Sequence, residues 1–183
     1  MSRARKKMEQ TPDRDVESHL RQGAGREWLE EAAEDEKLTE LLRRRRLDLS
    51  GRVLELVHRG ERVRAETGAH TFSGRVVYAG ADFASIDRAD DLVEVVLDLA
   101  VWTVERGESG GNEQSGDMLT FRARLAEIAA TTESVRIVVI DGRAIVGSID
   151  VVATDHVELT QDGTTIIVPI RQIAAVIRPT SRF

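Results

Sequence analysis

Two stretches of the chain, GSIDVVATDHVEL at residues 147–159 and GRVVYAGADFASI at residues 74–86, share one pattern. Each has a glycine, a run of alternating apolar and polar residues, an aspartate and then a second alternating run. Alternation of this kind is typical of a β-strand with one buried face. Because the pattern occurs twice, it indicates a duplicated structural unit, and this duplication decides the fold.

The similarity extends outward from both stretches. Arg52 aligns with Arg124 at an offset of 72 residues, and one extra residue in the second repeat then aligns Gly74 with Gly147 at an offset of 73. No further gap is needed as far as Arg106. We define repeat 1 as residues 48–106 and repeat 2 as residues 120–183.

Each repeat is predicted to begin with a short helix, because apolar residues at i, i+4, i+7 and i+8 start at Leu49 and at Phe121. Asp48 and Thr120 precede these helices and are of the types that cap a helix N-terminus. Five short alternating runs separated by turn residues follow, which predicts strands. The predicted strands are 62–67, 71–79, 82–88, 92–97 and 101–106, and then 135–140, 144–152, 156–160, 165–169 and 174–178.

These elements predict a mainly β protein in which an α-helix precedes the strands of each repeat. A helix and five short antiparallel strands are too few for a flat sheet with one covered face. We therefore expect each repeat to bend into its own small barrel, giving two small barrels in tandem.

Three segments lie outside the repeats. Residues 1–25 are basic and poor in large apolar side chains, which predicts a disordered tail. Residues 26–47 are predicted to form a charged amphipathic helix that contains Trp28 and ends in RRRR. Residues 107–119 contain four glycines and no periodic pattern, which predicts a flexible linker.

Composition excludes several classes of function. The 183 residues include no cysteine, which removes disulfides and thiolate metal ligands. The N-terminus has no apolar core of a secretion signal and no apolar run is long enough to span a membrane, so we expect a cytoplasmic protein without membrane contact. The four histidines are not at metal-ligand spacing, and no nucleophile or phosphate-binding motif occurs. We expect no metal, no cofactor, no small-molecule substrate and no enzymatic activity.

The repeats resemble the Sm and Sm-like family. The family's first signature is similar to VRAETGAHTFSGRVVYAGADFASI in repeat 1 and to VRIVVIDGRAIVGSIDVVATDHVEL in repeat 2. The last two strands resemble the second signature, in VEVVLDLAVWTVER and TIIVPIRQIAAVIR. The resemblance implies an N-terminal helix and a strongly bent five-stranded sheet in each repeat. The matching motif positions are Gly68, Gly74, Asp82, Arg106, Gly142, Gly147 and Asp155.

The residues with which family members bind RNA are largely absent. RNA-binding members usually carry an Asn shortly after the aspartate, whereas the strands here are DFASI and DHVEL. They also have an Arg-Gly pair in the last turn, which only Arg106 and its neighbouring glycine retain. Asp82 and Asp155 are therefore either base contacts, as the resemblance implies, or residues that cap a turn through their own side chains.

Two functions remain open from the sequence. The first is an interaction or assembly module that binds a protein partner or a second copy of the chain. Trp28 and Trp102 are its candidate interface residues. Trp102 aligns with Ala175, so its alternative role is a large core side chain that only repeat 1 has. The alternative is a regulatory protein that binds RNA or another nucleic acid through an arginine-rich helix. The net charge of −6 does not favour polyanion binding in general. The alternative interpretation of RRRR, residues 43–46, is a helix end exposed to solvent without a ligand. The candidate residues for nucleic-acid binding are Arg43, Arg44, Arg45, Arg46, Arg52, Arg59, Arg62 and Arg64.

Overall fold

A computed structural model describes residues 32–105, 110–114, 117–131 and 134–179. The chain divides into two units, residues 1–46 and residues 47–183. In the first unit, helix α1 occupies residues 32–46 of the described part. The apolar side chains of Leu38, Leu41 and Leu42 are exposed on this helix.

The second unit contains both repeats. Each begins with an α-helix, has four strands, then a short 3-10 helix (η) and a fifth strand. The elements of repeat 1 are α2 (Leu49–Arg59), β1 (Arg62–Thr67), β2 (His70–Ala79), β3 (Phe83–Asp87), β4 (Asp91–Val96), η1 (Leu97–Leu99) and β5 (Val101–Glu105). Those of repeat 2 are α3 (Phe121–Ala129), β6 (Ser134–Val139), β7 (Ala144–Val152), β8 (His156–Gln161), β9 (Thr164–Pro169), η2 (Ile170–Gln172) and β10 (Ile173–Pro179).

The predicted strands are confirmed to within one residue at each end where the structure describes them. Both predicted helix caps are confirmed as well. Gly51 N donates to Asp48 Oδ1 at 2.7 Å, and Ala123 N donates to Thr120 Oγ1 at 3.3 Å. Helix α2 ends at Arg59 and is capped by Gly60, whose φ of 66° is readily adopted by glycine.

The strands form one antiparallel sheet of ten strands in the order β5-β1-β2-β3-β4-β10-β6-β7-β8-β9, and 47% of the described residues are in strands. The two small barrels expected from the sequence are not confirmed, because the sheet is not a closed barrel. The physical reason is the partner of β4, which pairs with β10 of repeat 2 and so joins the repeats edge to edge. Strands β5 and β9 are left at the two ends of the sheet.

Both repeats bend at corresponding positions of their long strands. The pairing of β2 with β3 shifts between Val76 and Tyr78, and that of β7 with β8 shifts between Ile149 and Val151. At each shift the first strand of the pair contains one residue more than the second. An extra residue of this kind, a β-bulge, bends a strand and increases its twist. A Cβ on Gly74 or on Gly147 would overlap a backbone carbonyl of the neighbouring strand, so these glycines permit the close approach of the strands.

Two apolar cores lie in the second unit, and each contains residues from both repeats. The first core is built mainly from repeat 1 but includes Val138 and Ala175. The second is built mainly from repeat 2 but includes Phe83. The junction of the repeats is therefore part of the hydrophobic core rather than a contact between two finished domains.

Candidate functional site

The backbone of the junction is the antiparallel pair of β4 and β10. Val95 lies opposite Ala175, Glu94 opposite Val176, and Val93 opposite Ile177. Val93, Val95 and Ala175 have no exposed surface. From Asp91 to Val95, a strand edge of repeat 1 is thus paired with a strand edge of repeat 2.

The polar centre of the junction is Glu94, a carboxylate with no exposed surface. One carboxylate oxygen, Oε1, accepts from Arg124 Nε at 3.0 Å and from Arg178 Nε at 3.3 Å. The other accepts from the hydroxyl of Ser85. Burial alone would lower the pKa of Arg124, but the carboxylates of Glu94 and Glu127 raise it above its ordinary value. Repeat 1 supplies the acid and repeat 2 both arginines.

The N-terminus of helix α3 packs against repeat 1. Phe121 N donates to Asp82 Oδ1 at 2.6 Å, and Ala81 N donates to Leu119 O at 2.8 Å. The ring of Phe121 lies 5.9 Å from that of Phe83, and Phe121 is only 2% exposed. Asp82, a motif position of the sequence analysis, therefore satisfies a backbone donor in the first turn of a helix from the other repeat.

The two end strands carry exposed apolar side chains. Val101 of β5 is 68% exposed and Ile167 of β9 is 62% exposed. Trp102 of β5 is half-buried against the first core, and its Nε1 donates to Leu97 O at 3.2 Å. Both ends of the sheet thus present apolar surface together with backbone groups that are not paired by any strand in the described part of the chain.

A cleft of about 560 Å³ lies beside β9. Its wall includes Asp155, the second motif aspartate, and the apolar side chains of Ile167, Pro169 and Ile170. His156 Nδ1 and Asp155 Oδ1 are 2.7 Å apart. This hydrogen bond raises the pKa of His156 above its ordinary value and lowers the pKa of Asp155.

The predicted arginine surface is largely balanced by acids. Arg43 and Arg44 of α1 pair with Glu40 at 3.2 and 2.8 Å. In the second unit the pairs are Arg52 with Glu55 at 2.6 Å, Arg59 with Glu61 at 3.9 Å and Arg64 with Glu105 at 3.5 Å. Arg62 lines a cleft that also contains Asp87, Asp90 and Asp91, whereas Arg45 and Arg46 are exposed on α1. Nucleic-acid binding by these residues stays a prediction.

The remaining predicted positions either lie in turns and loops of the fold or fall outside the described residues. Gly68 and Gly142 have positive φ angles, of 58° and 86°, in the turns that follow β1 and β6. Trp28 and Arg106 lie outside the described residues. Within the predicted linker, Gln114 bonds through its side-chain amide to both backbone groups of Ala79 in β2.

Sequence reasoning did not identify Glu94, Arg124 or Arg178 as functional residues. The single acid within the apolar run LVEVVL, residues 92–97, was an available signal. On an alternating strand with one buried face, however, such an acid is expected to point to solvent. The hydroxyl of Ser85 and the two arginines of repeat 2 together account for its burial, and the position of the arginines depends on contacts distant in sequence.

The described residues contain no cluster of three or more acidic or histidine side chains able to hold a metal ion. Within the same part of the chain, no helix has the length and apolar character needed to cross a membrane. Comparison with known protein families and with curated proteins finds no match. The internal junction and the two open ends of the sheet are thus the features from which a function is inferred.

Proposed function

We propose that the chain is a tandem Sm-like protein that acts as a non-catalytic assembly module, in which copies of the chain associate through β5 and β9. The Sm-like part of the proposal is supported by the helix at the start of each repeat and by the matching bends of β2 and β7. The assembly part depends mainly on one observation, the pairing of β4 with β10.

This pairing makes the two end strands complementary to each other. Strand β9 corresponds to β4 in the alignment of the repeats, and β5 corresponds to β10. The chain therefore already contains one joint between strands of these two types. A second joint of the same type requires β5 of one copy and β9 of another.

The end strands also carry few of the charged side chains that keep edge strands apart, although β9 ends in Pro169. Natural edge strands are commonly protected by charged side chains, above all lysine. Strand β9, with the sequence TTIIVP, has no charged residue, and β5, with the sequence VWTVE, has only Glu105. Exposed apolar edges without such protection are expected to pair with another strand.

The proposal is tested by measuring the mass of the full chain in solution over a range of concentrations. Val104 of β5 corresponds to Ile177, which packs against the first core at the internal joint. Val104→Lys should therefore abolish association. Val146→Lys is the matched control, because Val104 and Val146 are 40% and 43% exposed and Val146 lies in β7, away from both end strands. A wild-type chain that stays monomeric at every concentration would contradict the proposal.

A further inference from the structure

The surface of repeat 2 around Asp155 has the same backbone arrangement as the surface of repeat 1 on which helix α3 is seated. In repeat 1, Leu97 N donates to Asp82 O at 3.0 Å; in repeat 2, Ile170 N donates to Asp155 O at 2.8 Å. The adjoining turns also match, with Gly80 N bonded to Phe83 O at 2.8 Å and Ala153 N bonded to His156 O at 2.9 Å. Repeat 2 thus has a corresponding surface for a helix N-terminus, which neither α2 nor α3 of the same chain occupies.

The chain also supplies a helix end that corresponds to α3. In the alignment of the repeats, α2 corresponds to α3, Leu49 to Phe121 and Asp48 to Thr120. Leu49 is 38% exposed, whereas Phe121 is 2% exposed because it is seated on repeat 1. The first helical residue of α2 is therefore an apolar side chain without the cover that its counterpart has.

We infer that the cleft beside Asp155 binds the N-terminus of helix α2 from a second copy of this chain. In this complex Leu49 of the second copy takes the place that Phe121 has at the internal junction. Asp155 accepts a hydrogen bond from the backbone N of that Leu49, as Asp82 does from Phe121 N. The inference rests on the proposed function, since the second copy is the one whose β5 pairs with β9.

The chemistry of the cleft fits this occupant. Ile167, Pro169 and Ile170 provide an apolar wall for a leucine side chain. Ile167 is also the counterpart of Glu94, and Glu105 is the counterpart of Arg178. The buried ion pairs of the internal junction are therefore absent from the second joint, which we expect to be more apolar and free of their desolvation cost.

Two acids approach each other in this complex, because the α2 cap is Asp48 whereas the α3 cap is the neutral Thr120. Two basic residues from two other elements lie in the same region. His156 of β8 hydrogen-bonds to Asp155, and Arg171 of η2 lines the same cleft. Glu158, 3.7 Å from His156, is the further charge facing the histidine. Arg171 thus provides a positive charge in the cleft that receives the acidic helix end.

The test compares the full chain with Leu49→Ser and Asp155→Ala by sedimentation equilibrium. Leu49→Ser should raise the concentration of half-assembly about tenfold or more, because an apolar side chain no longer enters the cleft. Asp155→Ala should raise it about fivefold through loss of the helix cap. Val146→Ser is the control. In repeat 1 its counterpart Ser73 stays exposed although repeat 2 is joined to repeat 1, so we expect Val146 to stay exposed in the assembly and its substitution to leave the concentration of half-assembly unchanged. Thermal unfolding of the monomer at low concentration shows whether each variant is folded.

The outcomes separate this inference from the proposed function. If Val104→Lys abolishes assembly while folded Leu49→Ser assembles like the wild type, the strands pair but the cleft is empty, and the inference is wrong. If Leu49→Ser and Val146→Ser weaken assembly equally, the effect is not specific to the cleft, and the inference is equally wrong. A wild-type chain that never assembles contradicts the proposed function itself.

Discussion

The substitution Glu94→Ala is expected to have the largest effect on stability among single changes at the junction. Glu94 is fully buried and bonds to Arg124, Arg178 and Ser85. Removing the carboxylate leaves two guanidinium groups without their shared partner. It also leaves a space within the joint between the repeats.

The expected magnitude follows from the exposure of the two arginines. Breaking a buried ion pair by removing one partner costs about 3–5 kcal/mol. The side chains of Arg124 and Arg178 are 20% and 26% exposed, so water can partly solvate them once Glu94 is gone. We therefore expect a loss near the lower end, about 3 kcal/mol, which corresponds to a fall in Tm of roughly 6–12 °C for a chain of this size.

The assay is urea unfolding followed by circular dichroism, at a concentration where the chain is monomeric. Glu127→Ala is the matched control, because Glu127 bonds to the same Arg124 at 2.8 Å but is 49% exposed. An exposed pair of this kind is worth only about 0.3–0.5 kcal/mol. A loss below about 1 kcal/mol for Glu94→Ala, or equal losses for the two variants, would refute the account of the junction.

Three further changes test other parts of the structure. Asp82→Ala should lower the free energy of unfolding of the monomer by about 1 kcal/mol through loss of the bond to the α3 N-terminus, whereas Asp155→Ala should leave it nearly unchanged at low concentration; urea titrations compare the two. Gly74→Ala should destabilise the fold by about 1–3 kcal/mol, because its Cβ would overlap a carbonyl of β3; its Tm is measured by calorimetry. His156 should titrate above its ordinary pKa in an NMR pH series, and Asp155→Asn should return it towards that value. Because the pKa of Asp155 is lowered and that of His156 is raised, any stabilisation by this pair exists between the two pKa values and is lost below the first and above the second.

The positions of the strands were predictable because they depend on local signals. Alternation identifies a strand with one buried face, and the turn residues between the runs define its ends. Duplication gave each assignment a second, independent example. The caps Asp48 and Thr120 were predictable for the same reason, since a cap acts within three residues of its own position.

The expected pair of barrels was not confirmed, because strand pairing is not a local property. The apolar pattern of β4 is the same whether its edge is covered by a strand of its own repeat or by β10. The sequence pattern determines which face is buried, but it does not determine which strand covers an edge. The open ends of the sheet follow from this one pairing and were not foreseen in this form.

Asp82 illustrates a site that was only partly predictable. An aspartate ahead of a strand was expected to bind nucleic acid or to cap a turn through its own side chain. The structure places its Oδ1 on Phe121 N, 39 residues away in sequence. The residue type and its preference for backbone donors were correct in the turn hypothesis, but the identity of the donor required the packing of the repeats.

The most direct test of the central claim is a mixed disulfide between β5 and β9. At the internal junction Glu94 pairs with Val176, and their counterparts are Ile167 and Thr103. Directly opposite residues of antiparallel strands have Cα atoms about 4.5–5.5 Å apart, which a disulfide can bridge. The chain has no cysteine of its own, so Thr103→Cys and Ile167→Cys can be prepared separately, mixed and oxidised. Pairing of β5 with β9 between copies predicts a disulfide dimer in the mixture and none in either variant alone. Absence of the mixed dimer, or equal dimer formation in a single variant, would contradict it.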